Sequence, residues 1–226
     1  MPINADAIEG AVIALKKEGN AMESIFKFGI VFLSVVIGCF IGLTIVSCSG
    51  ISSVSSDPVL SPTGTTTTFI LVRHAERAKE QGDSALTPAG RERAVALVDA
   101  IGDMGVTAIY CPDRGRNRET AQPLADYLKL PLNLIAEAKL ANTRKFADEF
   151  VREVISTHPG GVVVWVGNKS PVGIWGGNLK EIYQRLGGTD NGPSKYDDLY
   201  IIKVPDKGDI QITKLTYGKS AGRFDE

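Results

Sequence analysis

Thr68-Phe69-Ile70-Leu71-Val72-Arg73-His74-Ala75-Glu76-Arg77 passes abruptly from an apolar run into a polar one. Residues 68–72 are β-branched or apolar without alternation, the pattern of a strand buried on both faces. Such strands belong to parallel sheets covered by helices, and ligands bind at the carboxyl ends of those strands. Arg73 and His74 fall at that end. A guanidinium makes planar, bidentate hydrogen bonds to phosphate oxygens and keeps its charge. A neutral imidazole is a competent nucleophile near neutral pH, and its phosphorylated form can be hydrolysed. A solvated turn carrying a chance histidine would read the same way, so the segment alone leaves both open.

Downstream, strand and helix patterns alternate. Thr87 suits an N-cap with Pro88 at the first helical position, and Ala94, Val95, Leu97, Val98 and Ile101 recur at helical spacing. Residues 107–110 read as a second strand, 116–128 as a helix containing Pro123, and 132–136 as a third strand. Phe146, Phe150, Val151 and Ile155 line one face of a helix over 143–156. Gly161-Val-Val-Val-Trp-Val-Gly167 is a fourth, buried strand, followed by a helix over 172–186. Residues 199–204 and 210–217 flank Pro205-Asp206-Lys207-Gly208-Asp209, a hairpin signal. The expected fold is α/β: a three-layer sandwich with a mostly parallel central sheet, helices on both faces and an antiparallel C-terminal hairpin, over residues 68–219 with a tail at 220–226.

Upstream, no charged residue occurs from Phe28 to Ser47. About 20 apolar residues in a helix cover the hydrocarbon core of a bilayer. The Ser/Thr-rich stretch 49–67, with Pro58 and Pro62, reads as a flexible linker. Residues 1–48 are therefore expected to form a signal or anchor segment with an N-terminal apolar helix. Met22 is the more typical start for such a segment, and the true initiator is expected there. Ile45-Val46-Ser47-Cys48 resembles the lipobox of bacterial lipoproteins, which implies cleavage before Cys48 and its lipidation. An uncleaved single-pass anchor is the rival reading. Either one tethers the domain to the membrane at the bacterial cell envelope, outside the cytoplasm.

Composition excludes other classes. With 25 Lys+Arg against 26 Asp+Glu there is no basic field for nucleic acid. Three cysteines at unrelated spacings give neither a disulfide framework nor a zinc site. The chain has only two histidines, His74 and His158. His158 precedes the fourth strand and His74 ends the first, so a strand length of roughly 17–20 Å separates their ends of the sheet.

The residues around His74 resemble the R-H-G/A-E signature of the histidine phosphatase superfamily, the phosphoglycerate-mutase-like fold. Leu86-Thr87-Pro88-Ala89-Gly90 resembles its L-[ST]-x-x-G helix start, and Arg116 to Ala125 its R-[TA]-x-x-T-A-x-P-L-A helix, Pro123 included. The resemblance implies that His74 is the nucleophile and becomes phosphohistidine, with Arg73 and Arg116 clamping the phosphoryl oxygens. It also implies a second histidine after the fourth strand, where Val166-Gly167-Asn168-Lys169-Ser170 stands instead. Asn168 can donate a hydrogen bond but carries no charge; Lys169 offers a cation beside it. The leaving-group acid of the family is a carboxylate after the third strand, for which Glu137 is the candidate, and Asn142 puts an amide where relatives have an aspartate. The implied activity is phosphomonoester hydrolysis, weakened by the missing imidazole. The implied partner is a phosphorylated small molecule or phosphoprotein, and no metal or organic cofactor is implied. The alternative is an inactive pseudophosphatase that binds a phosphorylated ligand.

Overall fold

The structure, a computed structural model, describes residues 58–79, 82–169 and 177–220. The elements run β1 (Thr66–Arg73), α1 (Pro88–Ile101), β2 (Val106–Pro112), α2 (Gly115–Leu128), β3 (Leu132–Ile135), a 3-10 turn (Glu137–Leu140), α3 (Thr143–Thr157), β4 (Val162–Gly167), α4 (Asn178–Arg185), β5 (Asp198–Pro205) and β6 (Gln211–Thr216). They form one six-stranded sheet in the order β3-β2-β4-β1-β5-β6. The first four strands of that order are parallel, while β5 and β6 are antiparallel. This is the expected α/β architecture with its terminal hairpin.

The apolar run of β1 explains the layering. Successive side chains of a strand point to opposite faces. Phe69 and Leu71 enter a core with Trp165 of β4, Phe146, Phe150 and Val151 of α3, and Leu179 and Ile182 of α4. Ile70 and Val72 enter a second core with Val164 and Val166 of β4, Leu97 and Ile101 of α1, and Leu124 of α2. Both faces of the central strands are thus covered by helix, as their unbroken apolar character requires.

Connectivity places the ligand crevice. The β1–β2 connection runs through α1 over one face, and the β4–β5 connection through α4 over the other. Since β1 and β4 are neighbours, their C-terminal ends diverge to opposite faces, which opens a crevice between them. The His74 N–H donates to the Gly167 carbonyl at 3.0 Å and closes the base of that crevice.

The N-terminal boundary differs from expectation. Val59 is buried in the core, and the Ser61 hydroxyl donates to the Val204 carbonyl at 2.6 Å and contacts the Thr67 hydroxyl at 2.9 Å. The part of the expected linker from 59 onward is therefore packed against β5, and β1 begins at Thr66 rather than 68. One apolar residue in a Ser/Thr/Pro-rich stretch carries no periodicity by which to read this. The helix expected over 172–186 is α4, Asn178–Arg185; residues 170–176 lie outside the described residues. The apolar run 28–47, Met22 and Cys48 also lie outside them. Among the described residues, no helix is long and apolar enough to cross a membrane.

Candidate active site

His74 follows the last residue of β1 and is only 3% exposed. Its Nδ1 lies 2.8 Å from the Ala75 carbonyl oxygen. A carbonyl only accepts, so Nδ1 carries the proton and the Nε2 lone pair is left for chemistry. Burial lowers the imidazole pKa from 6.5 to about 3 against the stabilising Ala75 bond, and the charges of Arg73, Arg116 and Arg77 lower it further. A neutral imidazole with its Nε2 lone pair unprotonated is therefore the resting state at physiological pH.

Two arginines flank it. Arg73 Nη1 donates to the Ser194 carbonyl at 2.9 Å, and its guanidinium lies 3.8 Å from the centroid of the Tyr196 ring. The Tyr196 ring also tilts against the imidazole, with centroids 5.7 Å apart. Asp198 shapes this loop by accepting the Ser194 and Lys195 N–H groups at 2.7 and 2.8 Å. Arg116 projects from the first turn of α2 and is 5% exposed. Its Nε and Nη2 donate to Asn168 Oδ1 at 3.2 and 2.9 Å. Its Nη1 reaches the Gly82 carbonyl at 3.3 Å and Asp83 Oδ1 at 3.4 Å. Burial, then Arg114 and Arg77, pull its pKa down to about 10 despite Asp83 and Glu137, so it stays charged at neutral pH.

The structure thus brings His74, Arg116 and Asn168 to one crevice, with Arg73 alongside. Asn168 is fixed from behind: Asn178 Oδ1 accepts both the Asn168 N–H at 2.9 Å and the Trp165 indole N–H at 3.1 Å. Gly167 is needed for this approach, because a Cβ there would lie 2.4 Å from Trp165 Nε1 and 2.6 Å from Asn178 Oδ1. Since Arg116 can only donate, the Asn168 oxygen is committed to it, and the Asn168 NH2 group is the end left to donate to another acceptor. Lys169 is exposed next to it. Thr120 joins the two sides, accepting the Ala75 N–H at 2.9 Å and donating to the Arg116 carbonyl at 2.7 Å. Asn117, where threonine or alanine was expected, is fully buried and donates to the Val166 carbonyl at 3.0 Å.

The remaining candidates lie at the margin or elsewhere. Glu137 sits on the 3-10 turn, 56% exposed, and pairs with Arg114 at 2.5 Å. Asn142 is the N-cap of α3 and accepts the Lys145 N–H at 3.0 Å, so its amide has a structural task. His158 caps the C-terminus of α3 with its Nε2 3.0 Å from the Tyr110 hydroxyl, before β4 rather than after it. Cys111 is a free, fully buried thiol pushed up to about 12 by burial, which leaves it inert.

Several contributors escape a reading of the motifs. Tyr196 and Asn178 come from distant segments. Asp83 accepts the Gly115 N–H at 2.8 Å and anchors Arg116; desolvation pushes its carboxyl up, but the backbone N–H groups of Gly115 and Arg116 and the Arg116 charge outweigh this and hold it low. Arg93, 5% exposed in α1, grips Glu76 through Nε at 2.9 Å to both oxygens and through Nη2 at 2.6 Å. Gly90 lets the loop approach α1, because a Cβ there would stand 2.2 Å from the Glu76 carbonyl oxygen.

Known proteins share the fold and part of the sequence. Over 63 residues the chain is 40% identical to a probable phosphoglycerate mutase, GpmB, of Erwinia tasmaniensis. That match spans 25% of this chain and only 29% of the relative. The fold superposes on a putative alpha-ribazole-5'-P phosphatase from Escherichia coli K-12 with a TM-score of 0.51 at 14% identity, covering 69% of this chain and 98% of that one. YhfR of Bacillus stearothermophilus gives 0.50 at 22% identity, covering 65% and 95%. A phosphoserine phosphatase from Entamoeba histolytica, in complex with 3-phosphoglyceric acid, gives 0.50 at 16% identity, covering 68% and 98%. At these identities the superpositions speak for the fold alone. The profile of the histidine phosphatase superfamily (branch 1) matches residues 69–189, which is more than half of the sequence and includes His74, Arg73 and Arg116, and the chain belongs to that superfamily.

Proposed function

We propose that the chain hydrolyses phosphomonoesters through a phosphohistidine on His74. The observation that carries this reading is the imidazole itself: buried, neutral, locked by Ala75 with Nε2 free, and placed beside Arg73 and Arg116. In the first step Nε2 attacks phosphorus, the Nε2–P bond forms and the P–O bond to the leaving group breaks. The arginines and the Asn168 amide hold the phosphoryl oxygens as charge shifts to the leaving oxygen. A poor leaving group takes a proton there, for which Glu137 stands at the margin beside Arg114. In the second step water attacks the phosphohistidine, restoring the imidazole and releasing phosphate.

With asparagine at 168 the site lacks one titratable donor. Losing a single preorganised donor lowers rate by about 10²–10³ in comparable sites. A second reading has its own support. Asn168 stands where the family pattern has its second histidine and gives its Oδ1 to Arg116, which suits a domain that binds a phosphorylated ligand without turning it over.

An aryl phosphate separates the readings, because its phenolate leaves without an acid. Turnover is expected, with acid-labile phosphate trapped on His74, and His74→Ala is expected to abolish both. Phosphate binding with no turnover in the wild type would instead select the pseudophosphatase. Turnover undiminished in His74→Ala would overturn the hydrolase assignment.

The same proposal includes the tether. The uncharged run 28–47 ending at Cys48 supports a lipid-anchored domain at the bacterial cell envelope, outside the cytoplasm. On fractionation of cells, Cys48→Ser is expected to lose lipid label and shift the domain from the membrane fraction. Unchanged label would exclude Cys48, and an unlabelled wild type that stays with the membrane would point to the single-pass anchor.

A further inference from the structure

The strap between α4 and β5 reaches the site from far along the chain, and its own carboxylates pin it. Asp190 accepts the Gly192 N–H at 2.9 Å and pairs with Lys214 of β6. At the other end Asp198 accepts the Ser194 and Lys195 N–H groups, and the Asp197 carbonyl accepts the Tyr217 N–H at 3.0 Å. Tyr196 lies between these pins and is 8% exposed. A segment fixed before a ligand arrives presents its side chains without a further ordering cost on binding.

Arg73 is the side chain that needs such a support. An arginine is long and rich in rotamers, so gripping an anion through it costs entropy unless the guanidinium is already held. The strap holds it twice. Nη1 donates to the Ser194 carbonyl at 2.9 Å, and the guanidinium carbon lies 3.8 Å from the centroid of the Tyr196 ring. A ring face orients a guanidinium by stacking and takes up none of its N–H groups. The same ring meets the His74 imidazole, with centroids 5.7 Å apart and planes at 58°. One buried ring therefore touches both residues that close the end of β1, and both contacts belong to the ring rather than to the hydroxyl.

We propose that Tyr196 is a positioning residue of the site: its ring sets the plane of the Arg73 guanidinium against the imidazole, and so the direction in which Arg73 can grip a phosphoryl oxygen. The proposal rests on Arg73 holding phosphate, as in the reading above, and not on turnover. Tyr196 acts through Arg73, so its contribution exists only while Arg73 is present. It also ties the site to the strap, since the pins at Asp190 and Asp198 decide where the ring stands.

The test is inorganic phosphate binding to the full-length chain by calorimetry, in a double-mutant cycle with Arg73→Met, beside aryl phosphate turnover. Tyr196→Leu is expected to weaken phosphate binding roughly tenfold, the loss of a cation–π contact with a buried ring. Tyr196→Met fills the space with a flexible apolar chain and gives the same reading should the leucine variant not fold. Tyr196→Phe keeps the ring and is expected to retain most of the affinity. In the Arg73→Met background, Tyr196→Leu is expected to change affinity by less than about twofold, because the residue it acts through is gone. General damage to the site would instead add to the Arg73→Met loss, and additive losses overturn the proposal. So does an affinity in Tyr196→Leu within about twofold of wild type, or a loss in Tyr196→Phe equal to that in Tyr196→Leu. Phosphate binding that is absent from the wild type, or indifferent to Arg73→Met, overturns the clamp and the proposal with it. Binding that follows the expected cycle while turnover ignores His74 upholds the proposal and sinks the hydrolase reading.

Discussion

Arg93→Met is expected to destabilise the full-length chain by about 3–5 kcal/mol, the usual effect of removing one partner from a buried ion pair. Arg93 makes three short contacts to the Glu76 carboxylate and a fourth, from Nη1, to the Tyr217 carbonyl at 3.0 Å. Its removal leaves Glu76, whose side chain is 16% exposed, as a largely buried carboxylate without its cation, and it also frees the chain end after β6. Desolvating such a group is what makes the single substitution severe. Glu76 is two residues from His74, and its carbonyl accepts the Thr87 N–H at 2.9 Å beneath α1. Loss of the pair therefore loosens the loop that carries His74. The double variant Glu76→Leu with Arg93→Met is expected to recover part of the stability, because no uncompensated charge remains. Urea midpoints of the three proteins check this. Single and double variants of equal stability would show that packing of the Arg93 stem, and not the charge pair, supports the loop.

That pair also shows how far the sequence could be read. The fold was legible because its signals are local. The unbroken apolar run of β1 demands two covering layers, and Thr87-Pro88 marks the start of α1, where the Thr87 hydroxyl accepts the Gly90 N–H at 3.0 Å. His74, Arg73, Arg116 and Asn168 were legible because each sits at a strand end or helix start with a recognisable neighbourhood. Arg93, Asn178 and Tyr196 were not, since each acts through a contact across the fold. Arg93 lies on a helix face where arginine normally snorkels to water, and only the turn of Glu76 back toward α1 gives it a buried partner. Asn178 matters because Trp165 and Asn168 both point their N–H groups at its one oxygen. Gly90 was read as a helix-start residue, whereas its missing Cβ serves the Glu76 carbonyl.

The second large effect is on stability against pH. In the unfolded chain His74 titrates near 6.5, and in the folded chain near 3, chiefly because burial opposes the charged form. Between those values the unfolded state binds a proton that the folded state refuses, so stability rises with pH through this window and is lost as pH falls. The full difference corresponds to about 5 kcal/mol lost from pH 6.5 down to pH 3, of which about 2 kcal/mol has gone by pH 5. Asp83 and Asp148, held low by their partners, add losses of their own only as pH falls into the carboxylate range, so measurements down to pH 5 isolate the imidazole. His74→Gln keeps a polar side chain of similar reach and cannot titrate. Denaturation midpoints taken from pH 8 to pH 5 are expected to fall for the wild type and to stay nearly level for His74→Gln, closing or reversing any gap between them. Parallel curves would mean that His74 is more hydrated in solution than its burial implies. The same imidazole sets an expectation for catalysis. The kcat/KM profile reports ionisations of free enzyme and free substrate, so no acid limb from His74 is expected above about pH 4. A limb near pH 6 belongs to the second ionisation of the phosphate ester, and it should move when the ester is changed for one with a more acidic phosphate while His74 stays in place.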